Sequence, residues 1–190
     1  TNRGKVPCRY YAAPGADKGL IFVGGTGGGW DTPASGLYPH LAKELMEEGF
    51  SSLWVRFRVS TRLSECVSDV TAGLLYLADE GLRLAGLVGH SFGGAVVIRT
   101  AAGSPMVRTV VALAGQSSGA EPASQLGPRC SLLLVHGTGD AVIPSSSSES
   151  LFHLARDPKE LVLFEGAGHG LDEAAADVRE LVRAWLKAHL

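Results

Sequence analysis

Cysteine is scarce in this chain. Cys8, Cys66 and Cys130 are the only three in 190 residues, and no CxxC pair occurs. An odd, scattered set argues against a disulfide framework and a cysteine-based zinc site. It suits free thiols in a reducing compartment, so the expected location is the cytoplasm. A charge excess is also missing: the formal net charge is −2, with no basic patch or polybasic arm. Nucleic acid and membrane surfaces are therefore not expected as partners. The longest apolar runs, such as "SLLLVHG" at 131–137, are too short to span a bilayer. No leader with a basic start and an apolar middle is visible. The first residue is Thr1 rather than Met, which leaves open whether a segment precedes it. Repeats, low-complexity tracts and linkers are lacking too, so residues 1–190 are expected to form one domain. The serine-rich "SSSSES" (145–150) is short and sits where a helix has to be capped.

Hydrophobic residues make up 45% of the chain, enough for one sizeable core. They fall into alternating strand-like and helix-like stretches. "GLIFVGG" (19–25), "SSLWVRFR" (51–58), "RLAGLVG" (83–89), "MVRTVVALAG" (106–115), "CSLLLVHG" (130–137) and "ELVLFEG" (160–166) read as strands. "KVPCRYYA" (5–12) adds an edge strand. Between them, Leu37, Leu41, Leu45 and Met46 recur at helical spacing, with Gly49 as a stop. A second helix over 64–81 can be capped by Ser64, with Val67, Val70, Leu74 and Leu77 as its apolar face. Further helices follow Ser91, start near 145, and occupy 171–190. Strands separated by helices predict a mainly parallel sheet covered on both faces, a three-layer α/β/α architecture. Ligands on such sheets bind outside the carboxyl ends of the strands.

Four of those ends carry unusual residues: "GGTGGGWD" (24–31), "GHSFGG" (89–94), "HGTGDAVIP" (136–144) and "GAGHGL" (166–171). Three of them offer a serine, an aspartate and a histidine. A serine hydroxyl attacks a carbonyl only when a base removes its proton and the backbone holds it clear. A sharp strand-to-helix turn does the second, at the cost of strained backbone at the serine. It needs small residues two before and two after, which Gly89 and Gly93 supply. The turn also aims the Phe92 N–H at a developing oxyanion, at the positive end of the next helix. His169 is the expected general base, and Asp140 would hold its tautomer and stabilise its imidazolium.

The elbow Gly89-His90-Ser91-Phe92-Gly93 and the order Ser91, Asp140, His169 resemble the α/β-hydrolase superfamily. "HGTGDAVIP" and "GAGH" resemble the acid and histidine loops of small carboxylesterases, acyl-protein thioesterases and dienelactone-hydrolase-like proteins. Dienelactone hydrolases proper use a cysteine nucleophile where this chain has Ser91, so their substrate is not carried over. The resemblance implies a second oxyanion donor in the loop after the first central strand. By position this is Thr26, with Gly27 second. The same glycine-rich loop fits neither GxGxxG nor a Walker loop, because Trp30 takes the last glycine position and no Lys-Ser/Thr follows Gly29.

Plainer readings stand beside these. Asp140 also fits a turn, and Glu121 is the only acid after the preceding strand. Asp172 fits the first turn of the last helix. His90 and His136 read as packed or hydrogen-bonded structural groups, and His40, His153 and His189 as helix-surface residues. Arg56 and Arg58 could hold an anionic substrate group, but structural pairing suits them better. Trp30, Ile143 and Leu171 are candidate acyl-pocket residues that core packing would explain equally well. Only "QSSGAEPASQLGPR" separates Gly115 from Cys130, too little for a cap domain. The expectation is thus a lidless serine hydrolase cleaving short-acyl esters through an acyl-enzyme on Ser91. It would use a small-molecule ester and need no cofactor or metal; its oligomeric state is open. A thioesterase and a non-catalytic binding protein of the same fold are the alternatives.

Overall fold

Each glycine-bounded apolar run becomes a strand in the computed structural model, which describes residues 4–190. The strands are β1 (Cys8–Tyr11), β2 (Lys18–Val23), β3 (Phe50–Val55), β4 (Leu84–His90), β5 (Val107–Leu113), β6 (Ser131–Gly137) and β7 (Lys159–Phe164). They form one sheet in the order β1-β3-β2-β4-β5-β6-β7. β1 is the edge strand the sequence predicts, and it alone runs antiparallel, paired with β3. The helices are α1 (Leu37–Glu47), α2 (Leu63–Asp79), α3 (Phe92–Ala102), α4 (Ser146–Leu154) and α5 (Ala175–His189).

Strand residues alternate between two cores. Ile21, Val23, Leu87, Leu132 and Leu134 pack with Val70, Leu74, Val96 and Leu151 of α2, α3 and α4. Leu20, Phe22, Val88, Val111, Leu133 and Val135 pack with Leu37, Leu41, Val182 and Leu186 of α1 and α5. Burying both faces explains why the strands read as unbroken apolar runs rather than as alternating patterns.

Several local expectations change. Gly49 does end α1 with a positive φ of 86°, but Ser64 caps nothing. The chain already turns at Val59–Arg62, and the Cys66 N–H donates to the Arg62 carbonyl (3.0 Å), so α2 begins at Leu63. Ser145 at the N-cap of α4 likewise makes no side-chain cap bond. The serine-rich run serves tertiary contacts instead: Ser147 Oγ accepts the Ser117 N–H at 2.7 Å. Asp172 sits in a short 3-10 turn ahead of α5, where it accepts the Ser35 N–H at 2.7 Å. His189 is half-buried, stacked on Trp185 with ring centroids 3.8 Å apart.

The chain leaves β2 through α1 on one face and β4 through α3 on the other, and strand order reverses between them. That divergence opens a crevice at the carboxyl ends of β2 and β4. Between β5 and β6 there is a single 3-10 turn, Glu121–Gln125, and no cap domain. Among the described residues no helix is long and apolar enough to cross a membrane.

Candidate active site

Ser91 follows β4 directly and carries φ 56°, ψ −123°, a sparsely populated conformation for a non-glycine residue. The turn is held by the Ser91 N–H on the Leu113 carbonyl (2.8 Å) and the Gly94 N–H on the Ser91 carbonyl (3.0 Å). A Cβ on Gly89 would strike the Gly93 carbonyl, and one on Gly93 the Gly24 carbonyl. The flanking glycines are therefore dictated by backbone against backbone. Phe92 is the first residue of α3, so its N–H has no partner within the helix.

Three side chains from three strand ends meet here. The Ser91 hydroxyl donates to His169 Nε2 at 3.0 Å. His169 Nδ1–H donates to Asp140 Oδ2 at 2.7 Å. Asp140 Oδ1 accepts the N–H groups of Val142 (2.8 Å) and Ile143 (2.9 Å). The Asp140 side chain is fully buried. Burial pushes its pKa up, but the His169 hydrogen bond and the two amides outweigh it, leaving the carboxyl below its usual range. His169 keeps 21% of its side chain exposed, enough for a substrate to reach the ring.

The acid and histidine loops are laced together. The Thr138 N–H donates to the Phe164 carbonyl (2.9 Å), the Gly139 N–H to the Ala167 carbonyl (3.0 Å), and the Gly166 N–H to Thr138 Oγ1 (2.9 Å). A Cβ on Gly137 would strike the Ala167 carbonyl, so that glycine permits the close approach.

On the other side, Gly25 abuts the serine: a Cβ there would lie 3.2 Å from Ser91 Cβ and 3.5 Å from Oγ. The next residue, Thr26, is exposed, and its carbonyl accepts the Ser60 hydroxyl at 2.8 Å. Gly27 is exposed and faces open space. Of the three pocket candidates, Trp30 lies edge-on to Trp54 (5.4 Å between centroids) under the Arg9 guanidinium. Ile143 is half-buried. Leu171 is fully buried in the core beside α5, so as placed it lines no open surface. The core takes this apolar side chain at the start of the last helical segment.

The remaining candidates are placed as structural groups. Arg58 pairs with the buried Asp69 at 2.5 Å and with Glu65 at 3.3 Å. Arg56 is exposed. Glu121 is paired with Arg99 at 3.0 Å and belongs to α3's surroundings, not to His169. His40 and His153 are exposed, as expected.

His90 and His136 are hydrogen-bonded structural groups, as the sequence suggests; the roles of Asp31, Tyr38 and Ser148 were missed. His90 Nε2–H donates to the His169 carbonyl at 2.9 Å, and His90 Nδ1 lies 3.8 Å from Asp31. Asp31 in turn accepts the Gly25 N–H at 3.4 Å; its contact with His90 holds its carboxyl below the usual range. The Tyr38 hydroxyl donates to the Val23 carbonyl at 2.7 Å and fixes the end of β2. His136 and Ser148 stand behind Asp140. The His90–His169 contact spans 79 residues, whereas Gly25–Asp31 and His136–Asp140 are only 6 and 4 apart, and residue type alone does not announce which side chains pair. Among the described residues, no cluster of His, Cys, Asp or Glu could hold a metal ion.

The profile of the dienelactone hydrolase family matches residues 39–188. This chain belongs to the dienelactone hydrolase family. It is a carboxylic ester hydrolase acting on small-molecule esters. It differs from the cysteine-nucleophile members in having Ser91 at the elbow; its cysteines lie elsewhere, Cys8 exposed on β1, Cys66 and Cys130 in the core. Similar solved structures share its α/β-hydrolase fold. A dienelactone hydrolase from Anabaena variabilis is 22% identical over 98% of this chain and 93% of its own, with a TM-score of 0.82. The esterase domain of a Rhodothermus marinus protein is 20% identical over 99% and 95%, with a TM-score of 0.80. An alpha-beta serine hydrolase homologue from Coxiella burnetii is 23% identical over 97% and 93%, with a TM-score of 0.77. No curated protein matches the sequence.

Proposed function

We propose that this family member cleaves short-acyl carboxylic esters through an acyl-enzyme on Ser91. The observation that carries the reading is the unbroken series from Ser91 Oγ to His169 at 3.0 Å and from His169 to Asp140 at 2.7 Å. His169 takes the serine proton as Oγ bonds to the ester carbonyl carbon. The N–H groups of Phe92 and Thr26, with Gly27 the second choice for the latter, hold the oxyanion. His169 then gives its proton to the departing alkoxide. Water, deprotonated by His169, attacks the acyl-enzyme and releases the acid and the free serine. Asp140 keeps the proton on Nδ1 throughout, so Nε2 is free to work. With no cap between β5 and β6, water has access to the acyl-enzyme, and short acyl groups are the expected substrates.

Turnover of p-nitrophenyl esters of increasing acyl length, alongside labelling by a fluorophosphonate probe, tests the reading. The acetate and butyrate should exceed long-chain esters, and acetyl-CoA should be the poorer substrate. Ser91→Ala should abolish turnover and labelling while leaving thermal stability within about 1 kcal/mol, since it removes one half-exposed hydroxyl. Turnover persisting in that variant refutes the assignment. Faster cleavage of acetyl-CoA favours the thioesterase reading, and a wild type that is inactive across the ester panel and unlabelled favours a non-catalytic binding role.

A further inference from the structure

Asp140 has a second histidine. His136, near the end of β6, and Ser148, in the first turn of α4, are both fully buried. His136 Nδ1 is 2.7 Å from Ser148 Oγ. Its Nε2 is 2.9 Å from the Ile143 carbonyl and 3.2 Å from Asp140 Oδ2. Both groups facing Nε2 are acceptors, so that nitrogen carries the proton, and Nδ1 accepts the Ser148 O–H. We infer that His136, oriented by Ser148, is a positioning residue that fixes the Asp140 carboxylate for His169. The inference rests on the Ser91–His169–Asp140 reading above.

Asp140 then has no idle lone pair on either oxygen. Two amides fill Oδ1, and two imidazoles share Oδ2. The carboxylate cannot rotate without breaking several bonds at once. The second donor also draws charge from Oδ2, which makes Asp140 a weaker base and leaves the shared proton on His169 Nδ1. The contact with Ile143 closes residues 140–143 onto the strand. A space-filling role would not need a histidine here. Leu132 and Leu134, on the same face of β6, fill their sites with leucine and need no hydroxyl from α4. The serine-rich run thus has a purpose that capping does not supply.

Several ionisable groups surround this unit. His90 faces His169 at 4.9 Å between rings, with Asp31 behind it. Glu173 accepts the Gly168 N–H at 3.0 Å beside His169, and Glu149 follows Ser148 on α4. None of them contacts Asp140, so changes at His136 should reach His169 through that carboxylate.

The test compares His136→Phe, His136→Gln and Ser148→Ala with wild type, following ester turnover against pH and the imidazole nitrogen NMR signals of His136. His136→Phe should lower kcat on the order of 10- to 100-fold with KM nearly unchanged. It should also move the acid limb of kcat/KM to higher pH, because an Asp140 relieved of one donor holds the His169 imidazolium more tightly. His136→Gln can place an N–H where Nε2 stands and should restore most of the rate. Should either His136 variant fail to fold, Ser148→Ala removes only one hydroxyl: it should lower kcat by a few-fold and turn the His136 spectrum from an Nε2–H tautomer to a mixture. A kcat loss with an unmoved acid limb and no rescue by glutamine overturns the inference. So does a His136 tautomer that is Nδ1–H in wild type or indifferent to Ser148. Because the spectrum needs no turnover, an inactive wild type with the expected tautomer change would sink the triad reading alone.

Discussion

A single methyl group separates two kinds of glycine around Ser91. On Gly93 it would strike the Gly24 carbonyl, backbone that cannot swing aside. Gly93→Ala should therefore force the elbow apart and destabilise the fold by about 1–3 kcal/mol or more, read as a lower denaturant midpoint. On Gly25 the same methyl would meet Ser91 Cβ at 3.2 Å and Oγ at 3.5 Å, a side chain that can yield by a few tenths of an ångström. Gly25→Ala should leave the midpoint nearly unchanged and lower kcat/KM at least tenfold, because the space taken is where a carbonyl has to approach the hydroxyl. Equal loss of stability in both variants would mean that the loop at Gly25 is as rigid as the elbow. The need for small residues at Gly89 and Gly93 was legible, since G-x-S-x-G encodes a sharp turn. What each methyl would strike was not: the Gly93–Gly24 and Gly25–Ser91 approaches both depend on β2 and β4 lying side by side, and no spacing along the chain reports that.

At the scale of elements, the apolar runs predicted all seven strands to within three residues at either end, most closely for the central strands, where burial on both faces leaves a strong signal. Helix starts were read less well. Ser64 and the run at 145–150 look like caps, yet turns and carbonyls ahead of α2 fix its start, and the serines of α4 reach other segments. Structural pairing was preferred for Arg58 without a partner being named; the partner is Asp69, and the pair ties the loop after β3 to α2. Asp69 is fully buried, and Arg58 is 13% exposed. Arg58→Leu leaves that carboxylate with only the Arg58 backbone N–H among its contacts with residue 58, at 2.8 Å, and should cost about 3 kcal/mol. The matching change Arg179→Leu removes a pair with Glu44 that is 3.8 Å apart and 42% exposed on the arginine side. That change should cost less than about 1 kcal/mol. Urea unfolding of the two variants decides the point: similar midpoints would mean that water reaches Asp69.

Across the whole molecule, the two cores are joined through the sheet, so their cysteines report on it without any added label. Cys66 on α2 and Cys130 at the start of β6 have no exposed surface and belong to the same core. Burial pushes the first thiol up to about 12 and the second up to about 11, so neither supplies thiolate at neutral pH while the fold is intact. Cys8 on the edge strand is exposed, and burial raises its thiol too. A disulfide reagent should therefore modify one thiol in the native protein, and slowly. The other two should react only as the sheet opens, both at the same rate, and that rate should follow global unfolding as urea is raised. If Cys66 reacted ahead of Cys130, α2 would be opening on its own while β6 stayed in place. The Arg58–Asp69 link would then be the first to break, and the loop carrying Ser60 would leave Thr26 before the rest of the site came apart.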